Sequence, residues 1–313
     1  MFQRMVVPLD GSARAEQAVP VAARIARGAG GQVLLLEVVS TPTDYSGGEI
    51  PAASLALEEQ VEEEAPVAGE YLKNMAASPV LAGVATQTEV LFGLPALSLL
   101  GATRQGDLVV LCSHGRTGFA RWAFGSVAHT LVHQSAVPVF VLTEREASSL
   151  LEKRAMARPL RVLVPLDGSA LAETALGPAA HLVAALAAPA EAELHLVQVI
   201  QVSAARGEEG ATNIEKEGAL QRASSYLATT AERVRAAEKG LKLKITSTAV
   251  PGVDVADTLH GLSEQEGAST SDLIAISTQS RHGLERWTMG SVAERVLATA
   301  KLPTLVVRPP TVM

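Results

Sequence analysis

The sequence predicts an α/β protein made of two tandem, doubly wound, five-stranded parallel-sheet sandwiches. Three observations carry this. The chain repeats itself: "MVVPLDGSARAEQAVPVAARIA" at 5–26 returns as "VLVPLDGSALAETALGPAAHLV" at 162–183, and "GDLVVLCS" at 106–113 returns as "SDLIAIST" at 271–278. Within each repeat, apolar runs of strand length alternate with helix-spaced apolar residues. The composition is aliphatic, 48% apolar with only 3% aromatic, which suits strands buried beneath helices on both faces.

In the first repeat the strands fall at 4–9, 32–39, 85–91, 107–112 and 138–142. Continuous runs such as VLLLEVV and DLVVLC fit strands covered on both faces, joined by right-handed crossovers. The glycine-rich "GAGGQV" at 28–33 precedes a strand and reads as a helix terminator. The acidic "LEEQVEEEAP" at 57–66 reads as a solvated helix face. "GSVAHTLVHQSAVPVFVL" from Gly125 returns as "GSVAERVLATAKLPTLVV" from Gly290. The charged stretch at 143–159 marks the joint, so the expected division is domain 1 over 1–145, a linker over 146–158 and domain 2 over 159–313.

Composition also excludes some functions. A net charge of −7 without a local Lys/Arg cluster gives no nucleic-acid surface. No apolar run approaches the roughly twenty residues that span a bilayer, and the N-terminus reads as a strand, so no membrane partner is expected and the cytoplasm is the expected compartment. The single cysteine, Cys112, excludes an intramolecular disulfide and is expected to be small and buried.

In doubly wound sheets ligands bind beyond the carboxyl ends of the strands, where strand order reverses. "PLDGS" after the first strand and "CSHGRTG" after the fourth both lie at that edge. The loop that follows Cys112 leads to Gly125-Ser126 at the start of a helix, whose first amides lack intrahelical partners and whose positive end attracts an anion. Ser126 can cap that helix or offer its hydroxyl to a phosphate; a plain capped helix is the competing reading. Arg116 and Arg121 stand in the loop as phosphate partners or as exposed arginines.

The combination "VVPLDGS" with "SHGRTG…GSVAHTLVHQSAVPVFVL" resembles the universal stress protein family, and the tandem arrangement resembles its two-domain members. The resemblance spans nearly the whole chain. It implies a Rossmann-like, adenine nucleotide alpha hydrolase-like fold that binds ATP or AMP, with Mg2+ accompanying ATP, through a Gly-x2-Gly-x9-Gly-Ser loop. Gly115, Gly125, Ser126 and Val127 match that loop, with Arg116 beside it; Cys112 replaces the first glycine. By the same resemblance Pro8, Leu9 and Asp10 line the ribose and adenine side, with Val38 and Leu111. Asp10 also reads as a cap for the next helix.

The second repeat matches on the adenine side through Pro165, Leu166, Asp167, Val199 and Ile276. Its phosphate loop keeps Gly290, Ser291 and Val292, but Ser277 stands for the first glycine and Ser280 for the second.

Other motifs fail. No Gly-Lys pair exists for a P-loop, and Leu111 occupies the glycine position a hydrolase elbow needs before Ser113. His129 and His133 lie four apart on one helix without a visible third metal ligand, so no metal site is expected.

The resulting expectation is a nucleotide-binding regulatory or stress-response module, not an enzyme, with ATP hydrolysis slow or absent and no catalytic residue to name. Domain 1 is expected to bind more tightly than domain 2. A nucleotide-independent scaffold with vestigial pockets and an unidentified protein partner is the alternative, and an adenylate-handling enzyme is a third reading. By the same resemblance, strands 137–142 and 303–309 are expected to pair edge to edge as an internal pseudo-dimer, which would also cover apolar edges that otherwise invite aggregation, with a homodimer as the next level of assembly. The Cys112 side chain is expected to point away from the ribose.

Overall fold

The computed structural model describes residues 2–40, 50–113, 125–152, 158–202, 213–264, 270–278, 290–299 and 302–309. Ten strands form one sheet in the order β3-β2-β1-β4-β5-β10-β9-β6-β7-β8. The first half contributes β1 (Arg4–Leu9), β2 (Gln32–Ser40), β3 (Thr86–Gly93), β4 (Asp107–Cys112) and β5 (Val139–Leu142). The second contributes β6 (Leu160–Pro165), β7 (Ala192–Gln201), β8 (Leu243–Gly252), β9 (Leu273–Ser277) and β10 (Thr304–Val307). Every pairing is parallel except that of β5 with β10.

Right-handed crossovers dictate where the helices lie. α1 (Ala13–Glu16), α2 (Ala18–Ala29) and α3 (Ile50–Ala76) carry the chain outward from β1 to β3. α4 (Pro95–Ala102) and α5 (Ser126–Gln134) carry it the other way, to β4 and β5. Reversal of direction puts the second set on the opposite face. The second half repeats the scheme with α7 (Ala170–Glu173), α8 (Leu176–Ala187) and α9 (Asn213–Ala237), then α10 (Val255–Glu264) and α11 (Ser291–Thr299).

Alternate strand residues therefore feed two cores. Met5, Val7, Val33, Leu35 and Phe140 face the α2 and α8 layer, while Val6, Leu34, Leu36, Val139 and Val141 face the α4 and α5 layer. Each core runs unbroken from one half into the other.

The junction has an internal two-fold symmetry. Thr304 pairs with Val141, Leu305 with Phe140 and Val306 with Val139. Phe140 and Leu305 stand equally far beyond Gly125 and Gly290, so they are repeat equivalents and the axis passes between them. The expected edge-to-edge pairing of the last strands is thus present.

The stretch expected as a linker differs in part. α6 (Glu144–Glu152) fills much of it, with Ala147 and Leu150 buried in the shared core and Arg24 donating to the carbonyl of Leu150 at 2.5 Å. The charged residues that suggested a linker share a helix with this narrow apolar stripe. The helical stretch Ala170–Ala187 is, by length and composition, apolar enough to cross a membrane. It serves here as the crossover from β6 to β7 and has 56% of its residues buried.

Candidate functional site

The strand order reverses between β1 and β4 in the first half and between β6 and β9 in the second, which opens a crevice at each carboxyl edge. At the end of β1, Pro8 is half-buried, Leu9 is buried and Asp10 is exposed. Gly11 follows with φ +73°, a left-handed turn that a side chain would strain. The turn lets the Ser12 amide donate to Asp10 Oδ1 at 3.0 Å, while Ser12 Oγ accepts from the Ala15 amide at 3.1 Å. The cap of α1 is therefore Ser12, and Asp10 holds that cap from one residue outside the turn. This corrects the reading of Asp10 as the cap itself.

The second half builds the same device. Gly168 has φ +81°, the Ser169 amide and hydroxyl both donate to Asp167 Oδ1 at 2.8 and 2.5 Å, and Ser169 Oγ caps Ala172 at 3.1 Å. Pro165 is half-buried and Leu166 buried, with the Leu166 amide donating to the Val197 carbonyl at 2.7 Å.

The end of β4 is tied to the start of α5. The Ser113 amide donates to the Leu142 carbonyl at 2.7 Å, and the Gly125 amide donates to Ser113 Oγ at 3.4 Å. Residues far apart along the loop are thus tied together where β4 ends. Gly125 is the N-cap of α5, in extended conformation with φ −61°, and no side chain caps the helix. Ser126 is consequently the first helical residue and does not cap, contrary to one of its expected roles. The amides of Ser126, Val127 and Ala128 have no intrahelical acceptors and point toward the crevice end of a nine-residue helix. In the second half the Gly290 amide donates to the Thr278 carbonyl at 2.8 Å, and Ser291 and Val292 are exposed at the start of α11. Gly115, Arg116, Arg121 and Ser280 lie outside the described residues.

Leu111 and Ile276 are buried in the α4 and α5 layer, with Val38 and Val199 packed at its edge. Cys112 is half-buried against the opposite layer, so it is less buried than expected from its residue type. Its counterpart Ser277 faces the same way and accepts a 3.4 Å hydrogen bond from Thr174. Among the described residues no group of three His, Cys, Asp or Glu side chains could hold a metal; His129 and His133 stack with ring centroids 4.2 Å apart.

Two further groups at this edge escaped sequence reasoning. Glu37 Oε2 and Gln198 Oε1 are buried without a hydrogen-bond partner. They follow Leu36 and Val197 in matching registers and are repeat equivalents. Burial, reinforced by the charge of Asp10, raises the Glu37 pKa. The signal was present as a polar residue inside the apolar runs LLLEVV and LVQVI.

Known proteins share this organisation. A model described as the universal stress protein family matches residues 1–143 and 160–308. A universal stress protein of Mycolicibacterium smegmatis is 28% identical over 309 residues, covering 97% of each chain. One of Mycobacterium tuberculosis is 28% identical over 227 residues, 72% of this chain and 70% of its own. Among solved structures, a universal stress protein from Archaeoglobus fulgidus superposes with a TM-score of 0.64 at 19% identity, covering 98% of this chain and 99% of its own, and bears on the fold alone.

Proposed function

The chain belongs to the universal stress protein family over both its halves, and from that premise we propose that it binds ATP or AMP as a regulatory, stress-response module in the cytoplasm. One observation carries this most: the uncapped amides of Ser126, Val127 and Ala128 sit where a phosphate would meet them, across the crevice from the Pro8-Leu9-Asp10 turn. The amides supply donors and the helix end supplies positive potential, so a polyphosphate gains both. Mg2+ would enter with ATP, held by its phosphates. Hydrolysis is slow or absent in this reading, because it assigns no side chain as general base.

The halves are proposed to differ, with the first binding more tightly, since Ser280 replaces Gly115 in the second. Acid denaturation of the purified protein, followed by chromatography of the supernatant, tests the reading directly. Released adenine nucleotide supports it; none released, together with no heat of ATP binding in calorimetry, overturns it. Phosphate release under excess ATP tests the weak-hydrolysis part, and light scattering tests association into homodimers.

A nucleotide-independent scaffold is the second reading. It rests on Phe92, Leu94 and Leu97, which are 39%, 45% and 56% exposed at one end of the first half. Retention of partner binding by a nucleotide-free variant would favour it.

A further inference from the structure

Each repeat buries a polar oxygen at the carboxyl edge of the sheet and leaves it without a bond. Glu37 lies near the end of β2 in register with Leu9, the residue before Asp10, and its Oε2 is buried without a hydrogen-bond partner. Gln198 holds the matching position on β7, and its Oε1 is left in the same way. Nearby donors are engaged elsewhere. The Ser12 amide serves Asp10, and the Tyr71 hydroxyl serves Glu16 at 3.0 Å. In the second half the Ser169 amide serves Asp167, while the Tyr226 hydroxyl and Arg233 both serve Glu173, at 2.8 and 2.9 Å. A buried acceptor without a partner costs free energy in the folded chain. The same cost recurs in both halves, with Glu in one and Gln in the other, which fits an oxygen kept for a donor on a ligand.

Position decides which part of a ligand arrives there. In the strand order β2 and β4 flank β1, so they lie two strand spacings apart, about 10 Å. A nucleotide with its phosphates on the Ser126, Val127 and Ala128 amides, beyond β4, therefore lays its base toward the end of β2. The charge of Asp10, on the strand between, reaches Glu37 and adds to burial in raising its pKa. Two carboxylates at this end of the crevice suit the positive edge of an exocyclic amine. The second half has Asp167 and the neutral Gln198 in the same places.

We propose, resting on the nucleotide reading above, that Glu37 and Gln198 read the 6-position of a bound purine and read it differently. An ionised carboxylate only accepts, so the first half selects a 6-amino purine and rejects a 6-oxo purine, whose oxygen would face Glu37. An amide accepts through its oxygen or donates through its nitrogen, so the second half takes both.

The test titrates ATP and ITP, a 6-amino and a 6-oxo purine, into the intact chain at pH 8 to keep the carboxylate ionised. The amide resonances of Gly11 and Gly168, beside Asp10 and Asp167, report the two halves separately. The first half is expected to prefer ATP by about tenfold or more, and the second by less than about threefold. Glu37→Gln, a side chain that the fold already carries at the matching position, is expected to cut the preference of the first half at least threefold. Gln198→Glu is expected to raise that of the second. A purely structural role would shift both nucleotides together and leave their ratio unchanged. If neither nucleotide moved either resonance and none were released on denaturation, the nucleotide reading would fail and this proposal with it. ATP binding with an equal response to ITP in the first half, or a ratio that Glu37→Gln leaves unchanged, would overturn the proposal alone.

Discussion

Gly28 and Ala185 occupy the same position in the two repeats and lie against each other across the internal two-fold. Each stands two residues beyond the aligned segments 5–26 and 162–183. A Cβ built on Gly28 would come within 2.0 Å of the Ala185 carbonyl oxygen, so α2 and α8 approach as closely as their backbones allow. The Phe140–Leu305 pair lies in the strand layer beneath them on the same face. The symmetry axis therefore passes through two contacts, one between helices and one between strands.

Gly28→Val is expected to destabilise the chain by at least about 3 kcal/mol, because the obstacle is backbone and the helices must separate. Ala185→Gly removes one methyl group and is expected to cost about 1 kcal/mol. Thermal melts of the two variants check this ordering, and equal costs would contradict the close approach.

Phe140→Ala is expected to cost roughly 3–5 kcal/mol. Because both cores cross the junction, the variant and the parent are each expected to melt in one transition. Calorimetry that resolved two transitions would show the halves to be separable. Val141→Pro tests the same seam, since proline cannot donate to the ladder.

His195 is expected to make the second half more acid-sensitive than the first. It accompanies a buried cluster in which Thr246 Oγ1 donates to Glu193 Oε1 at 2.7 Å and lies 2.9 Å from His195 Nδ1, while Arg161 Nε is 3.3 Å from Glu193. Burial first, then the Arg161 charge, lowers the His195 pKa to about 4, although Glu193 opposes this. A base with a depressed folded pKa destabilises the fold as pH drops below its unfolded value of about 6.5, with the full effect reached near the folded value. The repeat equivalent is Leu34, paired with Val6 as His195 is with Leu163. His195→Leu is thus expected to lose less stability than the parent between about pH 6.5 and 4, by up to about 3 kcal/mol. Parallel urea curves for both proteins across that range would refute this.

Glu37→Gln copies the side chain of the second repeat into the first. With the Glu37 pKa raised by burial and by Asp10, its charged form is disfavoured in the fold, so the penalty holds above the folded pKa and fades as pH falls toward the ordinary carboxylate range. The variant is expected to melt higher than the parent near neutral pH and to converge with it in acid. A lower melting point at neutral pH would mean that the carboxylate is engaged favourably.

Local patterns were legible in the sequence; of the long-range ones, the pairing of the last strands was expected from the family resemblance, and closer contacts were not. The strand read at 4–9 coincides with β1, and Gly30 does end α2 in a left-handed conformation with φ +68°. Both follow from neighbours along the chain. Gly28, in the same glycine cluster, serves a helix 157 positions away, which no local signal reports. At the carboxyl edge of the sheet, the motifs around Asp10 and Gly125 were visible in the sequence. Their division of labour with Ser12 and Ser126 was not, because a cap is decided by the backbone angles of one or two residues.

The nucleotide reading makes its sharpest demand on the two Gly-Ser-Val turns. Gly125 is extended, so valine can adopt its backbone there, and any loss of binding in Gly125→Val must come from the side chain blocking approach to the Ser126 and Val127 amides. That variant is expected to lose most ATP binding by the intact chain while melting within a few degrees of the parent. Gly290→Val is expected to matter less, because the second half already carries Ser280 in place of glycine. If binding requires a left-handed backbone at that position, a residue with a Cβ costs roughly 1–2 kcal/mol there, or about 5- to 30-fold in affinity. The Ser280 hydroxyl can return part of that by donating to a phosphate, so weakening is expected, not abolition. Calorimetric titration of ATP into the parent and the two variants measures both stoichiometry and affinity. The parent is expected to show a tight and a weak site, Gly125→Val only the weak one, and Gly290→Val only the tight one. Equal losses from the two substitutions, or a larger loss from Gly290→Val, would sink the asymmetry while leaving nucleotide binding itself intact.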